Sequence, residues 1–230
     1  MDLNEEVSSL IKGFVFDLDG VITDTAEYHY LAWQQLGEKI GITIDRVFNE
    51  QLKGISRMDS LDRILVYGNK SDVYSKEEKL KLANEKNEEY KKLITKISSS
   101  DLLPGIKEFM VELKKADMKL ALASASKNGP AILNLLGIAD EFDTIVDPAA
   151  LAKGKPDPEI FIKGAKQLNL SPEECIGVED AEAGIESINA AGMFSVGVGS
   201  QESMKFADMF VSETAQLNVP SILAAAKKKK

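Results

Sequence analysis

The amino-acid sequence predicts an α/β protein, a Rossmann-like parallel-sheet core that carries an inserted helical cap. Three observations predict it. Beyond residue 104, short apolar runs alternate with helical patterns, as right-handed βαβ units require. A run of the same kind, Phe14-Val15-Phe16, stands alone near the start. Between that run and residue 97 only helical spacing is found. With 230 residues the chain has room for one α/β domain and a smaller insertion. The expected division is residues 1–23 with 97–230 as core and 24–96 as cap.

The elements follow in order from local chemistry. Phe14-Val15-Phe16 is apolar at consecutive positions, which suits a strand covered on both faces. Residues 26–40 set Leu31, Leu36 and Ile40 among polar neighbours, and Gly41 ends that helix. Residues 58–66 carry Leu61, Ile64 and Leu65 at helical spacing. Residues 75–97 are long and charged, with Leu80, Leu82, Ala83, Tyr90, Leu93 and Ile94 as an apolar stripe. Ser98-Ser99-Ser100-Asp101 reads as the hinge back to the core. After Pro104-Gly105, a helix over 106–115 precedes a strand over 119–124, and a helix over 130–136 ends at Gly137. A strand over 144–146 and a helix over 158–168 come next. Ser171-Pro172-Glu173-Glu174 has the capping-box pattern. Residues 176–178 form a further strand, and the helix after it stops at Gly192. Strands over 194–198 and 209–211 complete the set.

Composition narrows the function. A net charge of −9 repels nucleic acid, so an anionic ligand must be captured by a few local cations or a metal. No apolar run nears the ~18 residues of a membrane span, and the acidic, polar residues 1–12 do not read as a signal peptide. The single cysteine, Cys175, rules out an internal disulfide and reads as a buried structural thiol, so cytoplasmic residence is expected. The lysine run at 227–230 reads as a solvated, disordered end.

Chemistry concentrates at the predicted strand ends. Asp17 and Asp19 are two apart, so they share one space where the first strand finishes and Gly20 turns the chain away. Open α/β sheets bind ligands there. Two like charges tolerate one another best around a hard cation such as Mg²⁺. Ser124-Ala125-Ser126-Lys127-Asn128 offers hydroxyl, amide and ammonium donors suited to phosphoryl oxygens. In Lys153-Gly154-Lys155-Pro156, the proline biases Lys155 towards an extended backbone that aims its side chain. Glu179-Asp180 supplies a second carboxylate pair. Taken singly, a serine-rich turn is a helix cap and a Lys-Pro step is surface.

Together these clusters carry more. The segment from Asp17-Leu18-Asp19-Gly20 to Asp24-Thr25 resembles the first motif of the haloacid dehalogenase superfamily, and the later clusters match its other motifs in order and spacing. The resemblance implies that Asp17 attacks phosphorus to give an aspartyl-phosphate. Asp19 would protonate the leaving oxygen and later deprotonate the acceptor. Ser124 and Lys155 would hold the transferring oxygens. Mg²⁺ would be bound by Asp17, the Asp19 backbone carbonyl and Asp180, with Glu179 in or beside the shell.

The insertion must then decide the substrate. Residues 23–33, 51–57, 86–87 and 124–129 are similar to the β-phosphoglucomutase branch of that superfamily. This implies a monomer that interconverts β-glucose 1-phosphate and glucose 6-phosphate, with glucose 1,6-bisphosphate as activator and intermediate. Its partner is a small phosphorylated sugar, with no nucleic acid and no membrane. On the same resemblance, Arg57 would clamp the non-reacting phosphate with Ser126, Lys127 and Asn128, a task that suits arginine's planar fork. Thr25, His29, Trp33, Gly54, Lys86, Asn87, Ser124 and Ala125 would meet the sugar or order the closed site. Read alone, His29 fits a solvent-facing helix position equally well, and Trp33 fits the core of the cap. The chain departs from the family mainly at its ends, which touch no motif. The same core motifs also serve a Mg²⁺-dependent phosphatase of a small sugar or polyol phosphate, or a phosphosugar-binding module that has lost its chemistry.

Overall fold

The structure, a computed structural model, describes residues 11–229; the acidic start up to residue 10 and the final Lys230 lie outside them. Among the described residues there are six strands: β1 (Gly13–Phe16), β2 (Lys119–Leu122), β3 (Thr144–Ile145), β4 (Cys175–Glu179), β5 (Phe194–Val198) and β6 (Met209–Val211). They pair in parallel in the order β3-β2-β1-β4-β5-β6. The helices are α1 (Ala26–Lys39), α2 (Arg46–Asn49), α3 (Arg57–Tyr67), α4 (Lys76–Ile94), α5 (Ile106–Lys115), α6 (Gly129–Leu136), α7 (Glu159–Gln167), α8 (Glu182–Ala190) and α9 (Val219–Lys229). The strand order reverses between β1 and β4. That is where an open parallel sheet leaves a crevice at its carboxyl edge.

The unbroken apolar run of β1 follows from its central place. Phe14 and Phe16 enter a cluster with residues of α5, α6 and α9. Val15, pointing the other way, packs with Phe161 of α7 and Ile185 of α8. Phe109 of α5 meets both Phe14 and Phe16 edge-on, at centroid distances of 5.8 and 6.2 Å.

The segment between β1 and α5 is helical and has an apolar cluster of its own, with Tyr30, Trp33, Leu36, Phe48, Leu61, Ile64, Leu65 and Leu82. Ser75 starts α4 with a reciprocal capping box to Glu78. Ala32, Tyr90 and Ile94 reach down from α1 and α4 into the sheet cluster. The chain enters and leaves the insertion side by side. The Thr23 hydroxyl donates to the Asp101 carbonyl at 2.7 Å, and the Leu103 amide donates to the Ile22 carbonyl at 3.0 Å.

Some expectations change. Leu31 and Leu80 are exposed, because Tyr30 and Trp33 on α1, and Leu82, Lys86 and Tyr90 on α4, hold the inward phase of their helices. The Ser171 capping box closes a single 3₁₀ turn, Pro172–Glu174, leading directly into β4. The lysine run is not disordered over its described part: Lys227, Lys228 and Lys229 form the last turn of α9. Lysines there complement the negative end of the helix dipole, and the Lys229 ammonium lies 2.5 Å from Asp208. Cys175 is buried, and burial pushes its thiol up to about 12, which keeps it inert. Among the described residues, no helix is long and apolar enough to cross a membrane.

Candidate active site

The sheet register assembles the site. Phe16 pairs with Val178, so the chain leaves β1 as Asp17 next to the end of β4, where Glu179 and Asp180 stand. The Asp17 amide donates to the Val178 carbonyl at 2.9 Å. On the other side the Ala123 amide donates to the Phe16 carbonyl at 2.7 Å, and Ser124 emerges at the same edge. Lys155 comes from the loop before α7. Its ammonium bridges Asp17 Oδ1 at 2.5 Å and Glu179 Oε2 at 2.7 Å, fully out of solvent.

Charge in this pocket is unbalanced. Burial, and then the Asp17 charge, raises Asp19 to about 7 and Glu179 also to about 7. Asp180 is held well above the usual carboxylate range by burial and by Glu179. Burial by itself would lower Lys155, but Asp17 and Glu179 outweigh it and keep the ammonium above its ordinary value. Lys155 thus bridges two of the four carboxylates, with Lys86 acting on Asp19 and Lys53 on Asp180 without an ion-pair contact. Asp17, Glu179 and Asp180 each offer an oxygen, and these atoms lie within 4.8 Å of one another. A buried, all-oxygen, over-acidic donor set is the chemistry of a hard divalent cation. Glu179 has both oxygens engaged, one by Lys155 and one by the Ala181 amide at 3.2 Å, so it backs the cluster. Gly20 makes the cluster possible. Its φ is +75°, and a Cβ there would lie 2.2 Å from Asp180 Oδ2.

Asp19 turns away from this cluster. Its amide donates to Asp17 Oδ2 at 2.9 Å, while its carboxylate accepts from the Thr25 hydroxyl and sits 3.9 Å from His29 Nε2. The Tyr90 hydroxyl donates to Thr25 Oγ1 at 3.1 Å, and the His29 ring stacks on Tyr90 at 4.0 Å. The Lys86 ammonium is 2.7 Å from His29 Nδ1 and lies over the Trp33 ring at 4.6 Å. Burial, then Lys86 and Arg57, holds His29 well below its usual range. Burial, then Arg57, brings Lys86 down to about 7. Thr25 does not line the cavity; it is fully buried behind Asp19, so it positions that carboxylate instead of meeting a ligand. Trp33 is at once part of the cap cluster and part of the cavity wall.

A second polar group lines the same cavity. The Asn128 side chain donates to Asn87 Oδ1 at 2.9 Å, a bond that joins core and cap. Arg57, at the start of α3, reaches the Ala83 carbonyl at 3.3 Å, one turn before Asn87. The turn ahead of α6 is held by the Ser126 amide donating to Ser124 Oγ at 3.1 Å and the Asn128 amide donating to Ser126 Oγ at 3.3 Å. Ala125 and Lys127 line the cavity between these groups. Gly54 has a φ of +71°, and a Cβ there would lie 2.9 Å from that of Ala181, so the cap loop meets the core without a side chain between them. The cavity, open to solvent, has a volume of about 1230 Å³.

Sequence reasoning missed two contributors. Tyr90 read only as one more apolar residue of α4; its place four residues after Lys86, on the same helix face, is the signal that could have found it. Lys53 drew no notice, yet it lines the cavity and its charge partly offsets the acidity at Asp180.

The model of the haloacid dehalogenase-like hydrolase family matches residues 11–192. A β-phosphoglucomutase of Bacillus subtilis (strain 168) is 52% identical over 209 residues, which are 91% of this chain and 92% of that protein. The crystal structure of a β-phosphoglucomutase from Clostridium difficile superposes with a TM-score of 0.94 at 53% identity, covering 95% of this chain and 98% of that one. A phosphorylated carbohydrates phosphatase of Thermotoga maritima stands further off, 28% identical over 80% of this chain and 82% of its own length. The family match spans β1 to the end of α8, and with it every strand end that contributes to the carboxylate cluster: the chain belongs to the haloacid dehalogenase-like hydrolase family.

Proposed function

We propose that the protein is a Mg²⁺-dependent β-phosphoglucomutase, interconverting β-glucose 1-phosphate and glucose 6-phosphate through β-glucose 1,6-bisphosphate. The observation that carries this reading is a cavity lined by two groups of side chains suited to phosphate. Asp17 and Lys155 form the first, taken here as one end, and Arg57 with the Ser126 to Asn128 turn the second, where the Asn87–Asn128 bond ties α4 to the core. A substrate with a single phosphate needs only the first end. The identity to two β-phosphoglucomutases supports the same choice.

In this mechanism Asp17 carries the phosphoryl group as an aspartyl-phosphate. Asp19 takes the proton from the sugar hydroxyl that attacks phosphorus, and gives it back to the sugar oxygen that leaves when Asp17 is rephosphorylated. Ser124 and Lys155 hold the transferring oxygens, and His29, Lys86 and Thr25 orient Asp19. Asp17, the Asp19 carbonyl and Asp180 would hold Mg²⁺, with Glu179 behind them. When bound, that ion neutralises charge on the phosphoryl group. Residues 24–96 act as the cap, which keeps water from the aspartyl-phosphate while the bisphosphate turns round. The reading includes a monomer in the cytoplasm.

The test is a ³¹P time course with β-glucose 1-phosphate and Mg²⁺. A lag that glucose 1,6-bisphosphate removes, glucose 6-phosphate as product and little free phosphate are expected. The α anomer should be a poor substrate. Inorganic phosphate appearing as fast as sugar phosphate disappears would make the protein a phosphatase instead.

Arg57→Ala probes the far end of the cavity. It should slow bisphosphate turnover by about 10²-fold, on the scale of losing a charged hydrogen-bond donor, and leave hydrolysis of a small aryl phosphate nearly unchanged. Arg57→Lys should recover only part, because a point charge lacks the fork. Equal losses on both substrates would assign Arg57 to folding of the cap.

A further inference from the structure

We infer that Lys86 is a site of covalent modification by small phosphorylated aldehydes, whose phosphate docks at the Arg57–Asn128 end of the cavity while the carbonyl carbon meets the Lys86 amine. The inference rests on the phosphate subsite proposed above. Lys86 lies on the inner face of α4, one turn after the Ala83 carbonyl that Arg57 touches and next to Asn87, which holds Asn128. It is only 2% exposed; it borders the cavity and, on its other side, a smaller pocket between α1 and α4. A reagent from bulk solvent meets it poorly, and a ligand anchored in the cavity is brought directly against it.

The amine is also available. Burial among the Trp33 and Tyr90 rings and the nearby Arg57 charge disfavour the ammonium form and bring the group down to about 7, so free amine is well populated near neutral pH. An unperturbed lysine has only about one part in a thousand or less in that form. The Lys86 nitrogen lies 2.7 Å from His29 Nδ1; a neutral His29 with its proton on Nε2 accepts there from Lys86 and leaves the amine lone pair unused. Lys155, the other buried lysine among the described residues, is held as an ammonium by two carboxylates and offers no such lone pair.

The reaction balances without a further reagent. The Lys86 lone pair adds to the carbonyl carbon, both amine hydrogens pass to the oxygen, that oxygen leaves as water, and a C=N bond remains. Hydrolysis reverses it. Aldose phosphates too short to close a ring present a free aldehyde and are the class best fitted. Glucose 6-phosphate, closed in its ring, reacts far less. The imine occupies the Arg57–Asn128 side of the cavity and ties up the Lys86 amine, so modification inhibits.

The experiment uses the whole protein with pyridoxal 5′-phosphate and, separately, glyceraldehyde 3-phosphate, each followed by borohydride reduction and peptide mass mapping. Lys86 should be the first lysine labelled by both. Pyridoxal lacking the phosphate should label it at least tenfold more slowly, and glucose 1,6-bisphosphate should protect it. Arg57→Ala should erase the advantage of the phosphate. Labelling confined to exposed lysines overturns the proposal. Equal labelling by pyridoxal with and without phosphate overturns its anchoring step. The ³¹P assay on the same protein keeps the two readings apart: an unlabelled Lys86 in an active mutase defeats only the modification, and a labelled Lys86 in an inactive protein defeats only the mutase.

Discussion

Asp17→Asn should retain less than about a hundredth of wild-type turnover, in mutase and phosphatase assays alike, because a group that must form the covalent bond has no substitute in binding. Asp17 ends the central strand, receives Lys155 at 2.5 Å and the Asp19 amide at 2.9 Å, and so presents its carboxylate in a set geometry. The amide is nearly isosteric, and it removes a negative charge from a pocket that has too many. The fold should therefore survive, with a melting temperature at or above that of the wild type. Loss of a metal ligand would also lower the rate, and titration with Mg²⁺ separates the causes. A nucleophile defect persists at saturating metal, and a ligand defect recovers. Recovery to more than a hundredth of wild-type rate would remove Asp17 from the nucleophile role.

The next largest effect is expected at Asp19. Asp19→Asn should cut turnover by about 10²–10⁴, the usual worth of a positioned acid and base, while Mg²⁺ affinity changes little. The structure motivates this division. The Asp19 side chain turns to Thr25 and His29 and stands apart from the Asp17, Glu179 and Asp180 oxygens that cluster within 4.8 Å. Calorimetric Mg²⁺ binding alongside the rate measurement checks it. A collapse of Mg²⁺ affinity would make the Asp19 side chain a ligand and leave the proton transfer to another residue. Tyr90 and His29 should then matter only through metal retention.

The alternation of strand and helix, the helical insertion and the four polar clusters were legible because each depends on neighbours within a few residues. Phe14-Val15-Phe16 reads as a doubly covered strand from its own composition, and Gly137 and Gly192 stop helices by local backbone freedom. The short helix α2 and the whole of α9 were not legible. Four residues give no period, and a lysine-rich end reads as solvated until Asp208 is known to lie against it.

The chain's own pattern therefore determined the fold class, the point of insertion and which strand ends carry carboxylates, hydroxyls and lysine. The tertiary structure alone decided which of those groups touch one another. Only the parallel register of β1 with β4 puts Lys155 between Asp17 and Glu179, residues 138 and 24 positions from it in the chain. Only the packing of α1 against α4 stacks His29 on Tyr90 and sets Thr25 behind Asp19. Local pattern determines what a segment becomes, because backbone sterics and side-chain period act over one or two turns. Which distant side chains then meet is settled by how whole faces pack, since close-packed interiors admit few arrangements of a sheet and its helices.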